Sequence, residues 1–69
     1  ITELPKTRTA DGSILLSFTY FPENEGNWER VDFGEENDFY LIFTLSSRTK
    51  SAFEAALPDY LKLIHSYEN

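Results

Sequence analysis

A chain of 69 residues with 12 acids, 6 bases and a formal net charge of −6 allows one small domain whose core lies near the lower limit for independent folding. It contains no cysteine, which excludes disulfides and thiolate metal sites, and no apolar run approaches the ~18 residues that cross a membrane. Six Phe, four Tyr and one Trp in a chain that is 41% hydrophobic argue against intrinsic disorder.

The chain begins at Ile1 and has no Met, which reads as a processed product, a fragment or a trimmed chain with any targeting segment upstream. The absence of cysteine fits any compartment, and the oligomeric state is open. Thr2 to Thr9 reads as a first strand, with Pro5 suited to a sheet edge. Asp11-Gly12 is a turn dipeptide between extended runs, the mark of a hairpin. Ser13 to Phe21 (SILLSFTYF) reads as a strand rich in aromatic and β-branched residues. Ile14, Leu16, Phe18 and Tyr20 share one face; Leu15, Ser17, Thr19 and Phe21 share the other, the more polar set in its middle.

Pro22 to Asn27 (PENEGN) is a loop on its Pro, Asn and Gly content. Trp28 to Phe33 reads as a short strand, with Glu29, Val31 and Phe33 opposite Trp28, Arg30 and Asp32, and Gly34 to Asp38 (GEEND) as a second turn. Phe39 to Ser46 (FYLIFTLS) sets Phe39, Leu41, Phe43 and Leu45 on one face and Tyr40, Ile42 and Thr44 on the other. With both faces apolar, it reads as a central strand. Ser51 to Tyr67 is helical: Ser51 and Glu54 match a capping box, and Phe53, Leu57, Tyr60, Leu61 and Ile64 form one stripe. Pro58 predicts a kink, or two helical pieces, because it lacks an amide donor and crowds the preceding turn. The fold class expected is α+β, an antiparallel meander of three to four strands packed against a C-terminal helix.

All of the net charge lies between Glu23 and Asp38 (ENEGNWERVDFGEEND), where seven carboxylates face the single cation Arg30; elsewhere five acids balance five bases. Such a field repels nucleic acid and attracts basic protein surfaces, and the scattered bases form no nucleic-acid footprint. The candidate partner-binding residues are Glu23, Glu25, Trp28, Glu29, Glu35, Glu36 and Asp38, the tryptophan as an aromatic anchor. The bland alternative for the same charges is solubility and protection of strand edges.

No cofactor is called for. Calcium is the one ion weighed, on the alternation of Glu23, Glu25 and Asn27, but the run lacks EF-hand spacing, and a meander puts its two acidic loops at opposite ends of the sheet. His65 is the only histidine, and its place near the helix C-terminus suits a surface residue favourable to the dipole. Nothing in the spacing of Glu29 and Asp32 raises them above surface charges toward glycosidase chemistry. The chain therefore reads as non-enzymatic.

The C-terminal third, FYLIFTLSSRTKSAFEAALPDYLKLIHSYEN, runs from an aliphatic strand through a Ser/Thr/Arg turn into a helix that closes on Ser66 and Tyr67. It resembles the end of PsbP-like domains, the family of the photosystem extrinsic protein, the bacterial DcrB-like proteins and their small-GTPase-binding relatives. There the helix often carries a Pro, an aromatic, an aliphatic and a terminal Ser-aromatic pair, which match Pro58, Tyr60, Ile64, Ser66 and Tyr67. The Arg8 to Gly12 hairpin is similar to the corresponding turn of the photosystem protein. The family's domain is longer, so the resemblance implies the C-terminal part of a larger α/β sandwich. Its members are mostly non-catalytic binders or assembly factors, which implies protein binding here. The alternative is a free-standing acidic inhibitor or immunity protein that covers a basic active site, and a more distant one is a carboxylate-based hydrolase.

Overall fold

In the computed structural model, which describes residues 1–68, β1 (Thr2–Arg8), β2 (Ile14–Tyr20), β3 (Trp28–Glu36) and β4 (Phe39–Ser47) precede one helix, α1 (Lys50–Ser66). The strands lie in the order β1-β2-β3-β4, each antiparallel to its neighbour, and α1 packs on one face of the sheet. This is the expected α+β meander.

β1 is an edge strand, and its pairing with β2 slips between Leu4 and Thr7, where Pro5 sits exposed. A proline costs least at such a bulge because no ladder hydrogen bond is lost there. The turn to β2 closes as Asp11-Gly12 predicts: the Gly12 amide donates to the Thr9 carbonyl at 3.1 Å, and Gly12 adopts φ +91°.

The structure departs from the sequence reading at β3, at β4 and at the start of the helix. β3 continues through Gly34, Glu35 and Glu36, so the second turn shrinks to Asn37-Asp38, with Asn37 at φ +54°. Gly34 is not a turn glycine but a close-approach glycine. A methyl group there would stand 2.7 Å from the Ile14 carbonyl oxygen and 2.9 Å from Leu15 Cδ2. β4 is an edge strand rather than a central one, and its outer residues Tyr40 and Ile42 are 75% and 67% exposed. The helix is capped by Thr49, whose extended backbone lets Oγ1 accept from the Ala52 amide at 3.1 Å. Ser51 already lies inside it, because only Arg48 and Thr49 separate β4 from α1.

Pro58 sits within this single helix rather than between two pieces. Its side chain and that of Glu54 are both exposed, so the carbonyl that loses its donor lies on the solvent side of the helix. After the helix, the Tyr67 carbonyl accepts from the Ala10 amide at 3.0 Å and ties the chain back to the β1–β2 turn.

The helical stripe lies mainly over β4. Leu15, Leu41, Tyr60 and Ile64 form the buried core, with Phe43, Leu45, Leu57, Leu61 and Tyr67 packed around it. Phe21, Trp28 and Phe53 make a second aromatic group under the first turn of the helix, with ring centroids 4.6 to 6.4 Å apart. The covered face of β2 is the more polar set, Leu15, Ser17 and Thr19.

Gly34→Ala is expected to lower unfolding free energy by about 1–3 kcal/mol through overpacking against backbone that cannot yield. Gly12→Ala meets nothing within 4 Å and should lose only about 1 kcal/mol, from its left-handed backbone. Denaturant unfolding compares the two. Equal losses would show that Gly34 is not needed for the approach of β2.

Candidate functional site

β3 carries the acidic segment from one end of the sheet to the other. The loop between β2 and β3 holds Glu23 and Glu25, both exposed, and the β3–β4 turn holds Asp38, also exposed. The extended strand between them separates these ends by about 27 Å. The structure therefore gathers Glu35, Glu36 and Asp38 at one end and leaves Glu23, Glu25 and Glu29 at the other. Glu29 and Glu35 lie on the face of the sheet away from the helix, since they pair with Tyr20 and Tyr40. The Ser46 hydroxyl donates to Glu29 Oε2 at 3.3 Å. Trp28 lies on the helix side, half-buried between Phe21 and Phe53, so its ring serves packing.

Arg30 and Asp32, two residues apart on one strand, share the covered face. Arg30 Nε and Nη2 donate to the two oxygens of Asp32 at 2.9 and 3.1 Å, and the Tyr60 hydroxyl donates to Oδ2 at 2.6 Å. Thr7 Oγ1 lies 3.2 Å from Asp32 Oδ1, 3.1 Å from Arg30 Nη2 and 2.7 Å from Ser17 Oγ. Burial pushes the Asp32 carboxyl upward, but hydrogen bonds from Arg30, Ser17 and Tyr60 and the guanidinium charge outweigh it and hold the pKa below the ordinary value. The same burial, with the neighbouring carboxylate, raises the Tyr60 hydroxyl far above its usual range. With Asp32 fully buried and every donor aimed at it, the group is satisfied and has no room for a substrate.

This pair changes the surface. Arg30 is the only cation of the acidic segment, and it is turned inward. Arg30–Asp32 is the only ion pair among the described residues, so Glu23, Glu25, Glu29, Glu35, Glu36 and Asp38 keep no cation of their own segment beside them. Arg48 approaches from the β4–α1 link and lines a recess with Asn24 and Glu25. At the opposite end, Asp11 stands beside Glu36 and raises its pKa, with burial as the second cause.

Glu29 and Asp32 point to opposite faces of the sheet, so they form no catalytic pair. Asp11 and Glu36 do meet, but neither lines the recess at Arg48 or the two recesses beside Ile1 and Tyr20. Among the described residues, no three His, Cys, Asp or Glu side chains gather as a metal site. His65 is exposed in the last helical turn. Among the described residues, no helix is long and apolar enough to cross a membrane.

The residues that sequence reasoning missed lie on the uncovered face. Ile14, Leu16, Tyr20 and Phe33 are 36% to 53% exposed there, beside Tyr40 and Ile42. Phe18 and Phe33 stack on that face with centroids 5.8 Å apart. The signal was present: the fourth strand is apolar on both sides, the second carries Ile14, Leu16, Phe18 and Tyr20 on one side, and one helix can cover only one face.

The two shifted carboxyls predict a two-sided pH profile. Asp32 titrates below its ordinary 3.8, so its stabilisation is full at neutral pH and is lost as the pH falls below that value. Glu36 titrates above its ordinary 4.5, so the folded state holds its proton more tightly, and acidification toward 4.5 stabilises the fold. Stability should rise and then fall as pH decreases. Glu36→Gln should flatten the rise. Tyr60→Phe should cost about 1.5–3 kcal/mol, the range for a hydrogen bond to a charge, and move the acid fall to higher pH. A Tyr60→Phe profile merely displaced downward in parallel would separate Tyr60 from the ionisation of Asp32.

No protein-family model, curated protein or solved structure matches this chain. Its functional reading rests on its own residues.

Proposed function

We propose that this chain is a non-catalytic protein-binding domain whose acidic ends attract a partner with a basic surface. The observation that carries the reading is the inward turn of Arg30. It leaves the exposed carboxylates of the 23–38 segment without a cation from that segment, and like charges summed over a surface raise the local concentration of an oppositely charged partner. The polar group most like an active site, around Asp32, is closed and internally satisfied, which favours binding over catalysis. The resemblance of Pro58, Tyr60, Ile64, Ser66 and Tyr67 to the closing helix of PsbP-like domains points to the same class of role, a binder or assembly factor.

Electrostatic attraction acts mainly on encounter rate. With a basic protein partner isolated on the immobilised chain, the association rate should fall about tenfold or more from low to high salt. Replacing Glu23, Glu25 and Glu29 together by Gln should lower the low-salt rate and flatten its salt dependence. Stopped-flow or surface-binding kinetics decide the matter, and a rate indifferent to both salt and these substitutions would remove the proposal.

A further inference from the structure

The face of the sheet opposite α1 has the wrong polarity for solvent. A sheet with one solvated face ordinarily alternates apolar inward and polar outward. Here the outward rows are the richer in large apolar groups: Ile14, Leu16, Tyr20, Phe33, Tyr40 and Ile42 are 51%, 36%, 53%, 37%, 75% and 67% exposed. At roughly 100 Å² each, half of a large side chain, they reach about 600 Å², the upper end of the largest apolar patch on a monomer, a size that often marks a functional surface.

We propose that this face docks an amphipathic α-helix of a partner protein, one with an apolar stripe bracketed by Lys or Arg. The inference rests on the protein-binding reading above and moves the main contact from the acidic ends to the sheet between them. The dimensions suit a helix. The apolar band covers β2, β3 and β4, two inter-strand spacings or about 10 Å across, close to the ~10–12 Å diameter of one helix. Along β3 the outward row reads Glu29, Val31, Phe33, Glu35, so two carboxylates bracket the band about 20 Å apart. That length corresponds to about 13 residues of helix between the bracketing cations.

Charge selects this occupant over a second copy of the chain. Across β2, β3 and β4 the outward rows carry Glu29 and Glu35 and no cation; Arg8 and, in the bulge opposite Leu16, Lys6 lie on β1 beside Glu3. Two copies stacked about a two-fold axis through β3 would set each Glu29 against the other copy's Glu35, and would join two molecules of net charge −6. Like charges opposed across an interface disfavour it. A strand partner would add to an edge, β4 or the bulged β1, through backbone groups, whereas this surface offers side chains.

A recess of about 380 Å³ at one end of the face gives the occupant a register. Ile1, Phe18, Thr19, Tyr20, Glu29 and Val31 line it. It can seat one large apolar side chain, with Glu29 among the residues of its wall. Beyond Ile1 and Tyr20 it continues into a second recess of about 500 Å³ that reaches Glu23 and Glu25. An apolar anchor followed by a cation fits this sequence of surfaces.

The test uses a synthetic 18-residue amphipathic peptide with a Leu stripe flanked by Lys, beside a version with Glu for Lys and one with Ser for Leu. Calorimetric titration should give binding by the first peptide and at least tenfold weaker binding by the other two. Amide shift changes in the labelled chain should concentrate on the outward rows of β2, β3 and β4. Ile42→Lys and Tyr40→Ser, both at exposed positions of an edge strand, should weaken binding about tenfold or more, with unchanged circular dichroism. Leu63→Ser on the outer side of α1, where Leu63 is 58% exposed, should change nothing. Sedimentation across a concentration range should find a monomer. Absence of binding, equal binding of the Glu peptide, or indifference to Ile42→Lys would overturn the inference. If the Lys peptide responds to Glu23→Gln with Glu25→Gln but not to Ile42→Lys, the acidic ends bind without the face, and only this inference falls. A dimer that Ile42→Lys dissociates would assign the face to a second copy and overturn it as well.

Discussion

Whatever packs on the inner face of this sheet has to satisfy one buried carboxylate. An ionised group with no exposure costs several kcal/mol in lost hydration unless charge and hydrogen bonds replace the water. Asp32 obtains both, from Arg30 on its own strand, Tyr60 on α1 and Thr7 on β1, with Ser17 of β2 bonded to Thr7 in turn. Four of the five elements thus meet at one side chain. The apolar contacts of α1 with Leu15 and Leu41 are less directional. Rotating or sliding the helix by one turn would keep some of that burial, but it would strand the Tyr60 hydroxyl and remove a donor from Asp32. Unpaired buried polar groups cost more than paired ones return. The network therefore contributes position more than net stability, which is the best-supported use of buried ions.

The choice of face follows from two further constraints. β4 passes into α1 through only Arg48 and Thr49, so the helix must fold back close to β4. The inward row of that strand, Leu41, Phe43 and Leu45, is continuously apolar and takes the helical stripe. β2 then presents its more polar row to the same side, and Ser17 and Thr19 become buried. The apolar row of β2 is left outside. One helix of 17 residues cannot cover both sides of a four-stranded sheet, and the remaining side stays uncovered.

The parts of this arrangement that were legible in the sequence are those set by local rules. Period-two alternation located β2, β3 and β4, Asp11-Gly12 located the first turn and with it the extended run of β1, and the helical stripe named Phe53, Tyr60 and Ile64, the three residues the helix buries. Composition misled where a residue type has two uses. Gly34 beside Glu35, Glu36, Asn37 and Asp38 carries the signature of a turn, but its lack of a Cβ serves a strand crossing near the Ile14 carbonyl. Ser51 and Glu54 match a capping box, but Thr49 stands at the helix boundary and takes the role. β4 is apolar on both sides, which is ordinary for a central strand; its place at the edge depends on long-range order that no local pattern encodes. At the site, the exposed positions of Glu23, Glu25, Glu35 and Asp38 followed from the sequence, while the engagement of Trp28 did not. The opposite charges of Arg30 and Asp32 at a spacing of two were the available sign of a same-face pair, and the balance of charge alone concealed it.

Interior and surface are coupled through Arg30. By neutralising Asp32 it permits the inner network, and by turning inward it leaves the rest of the acidic segment with its charge uncompensated. Self-repulsion of that kind works against the compact state, and Asp11 beside Glu36 is one place where it is concentrated. The uncovered apolar face is a second liability, since exposed patches of this size favour association. Each feature alone has a simple remedy: a few lysines would disperse the charge, and a few threonines would wet the face. Their occurrence on one strand, with Val31 and Phe33 between Glu29 and Glu35, is harder to account for separately. A partner that brings apolar side chains flanked by cations relieves the repulsion and covers the face in the same contact.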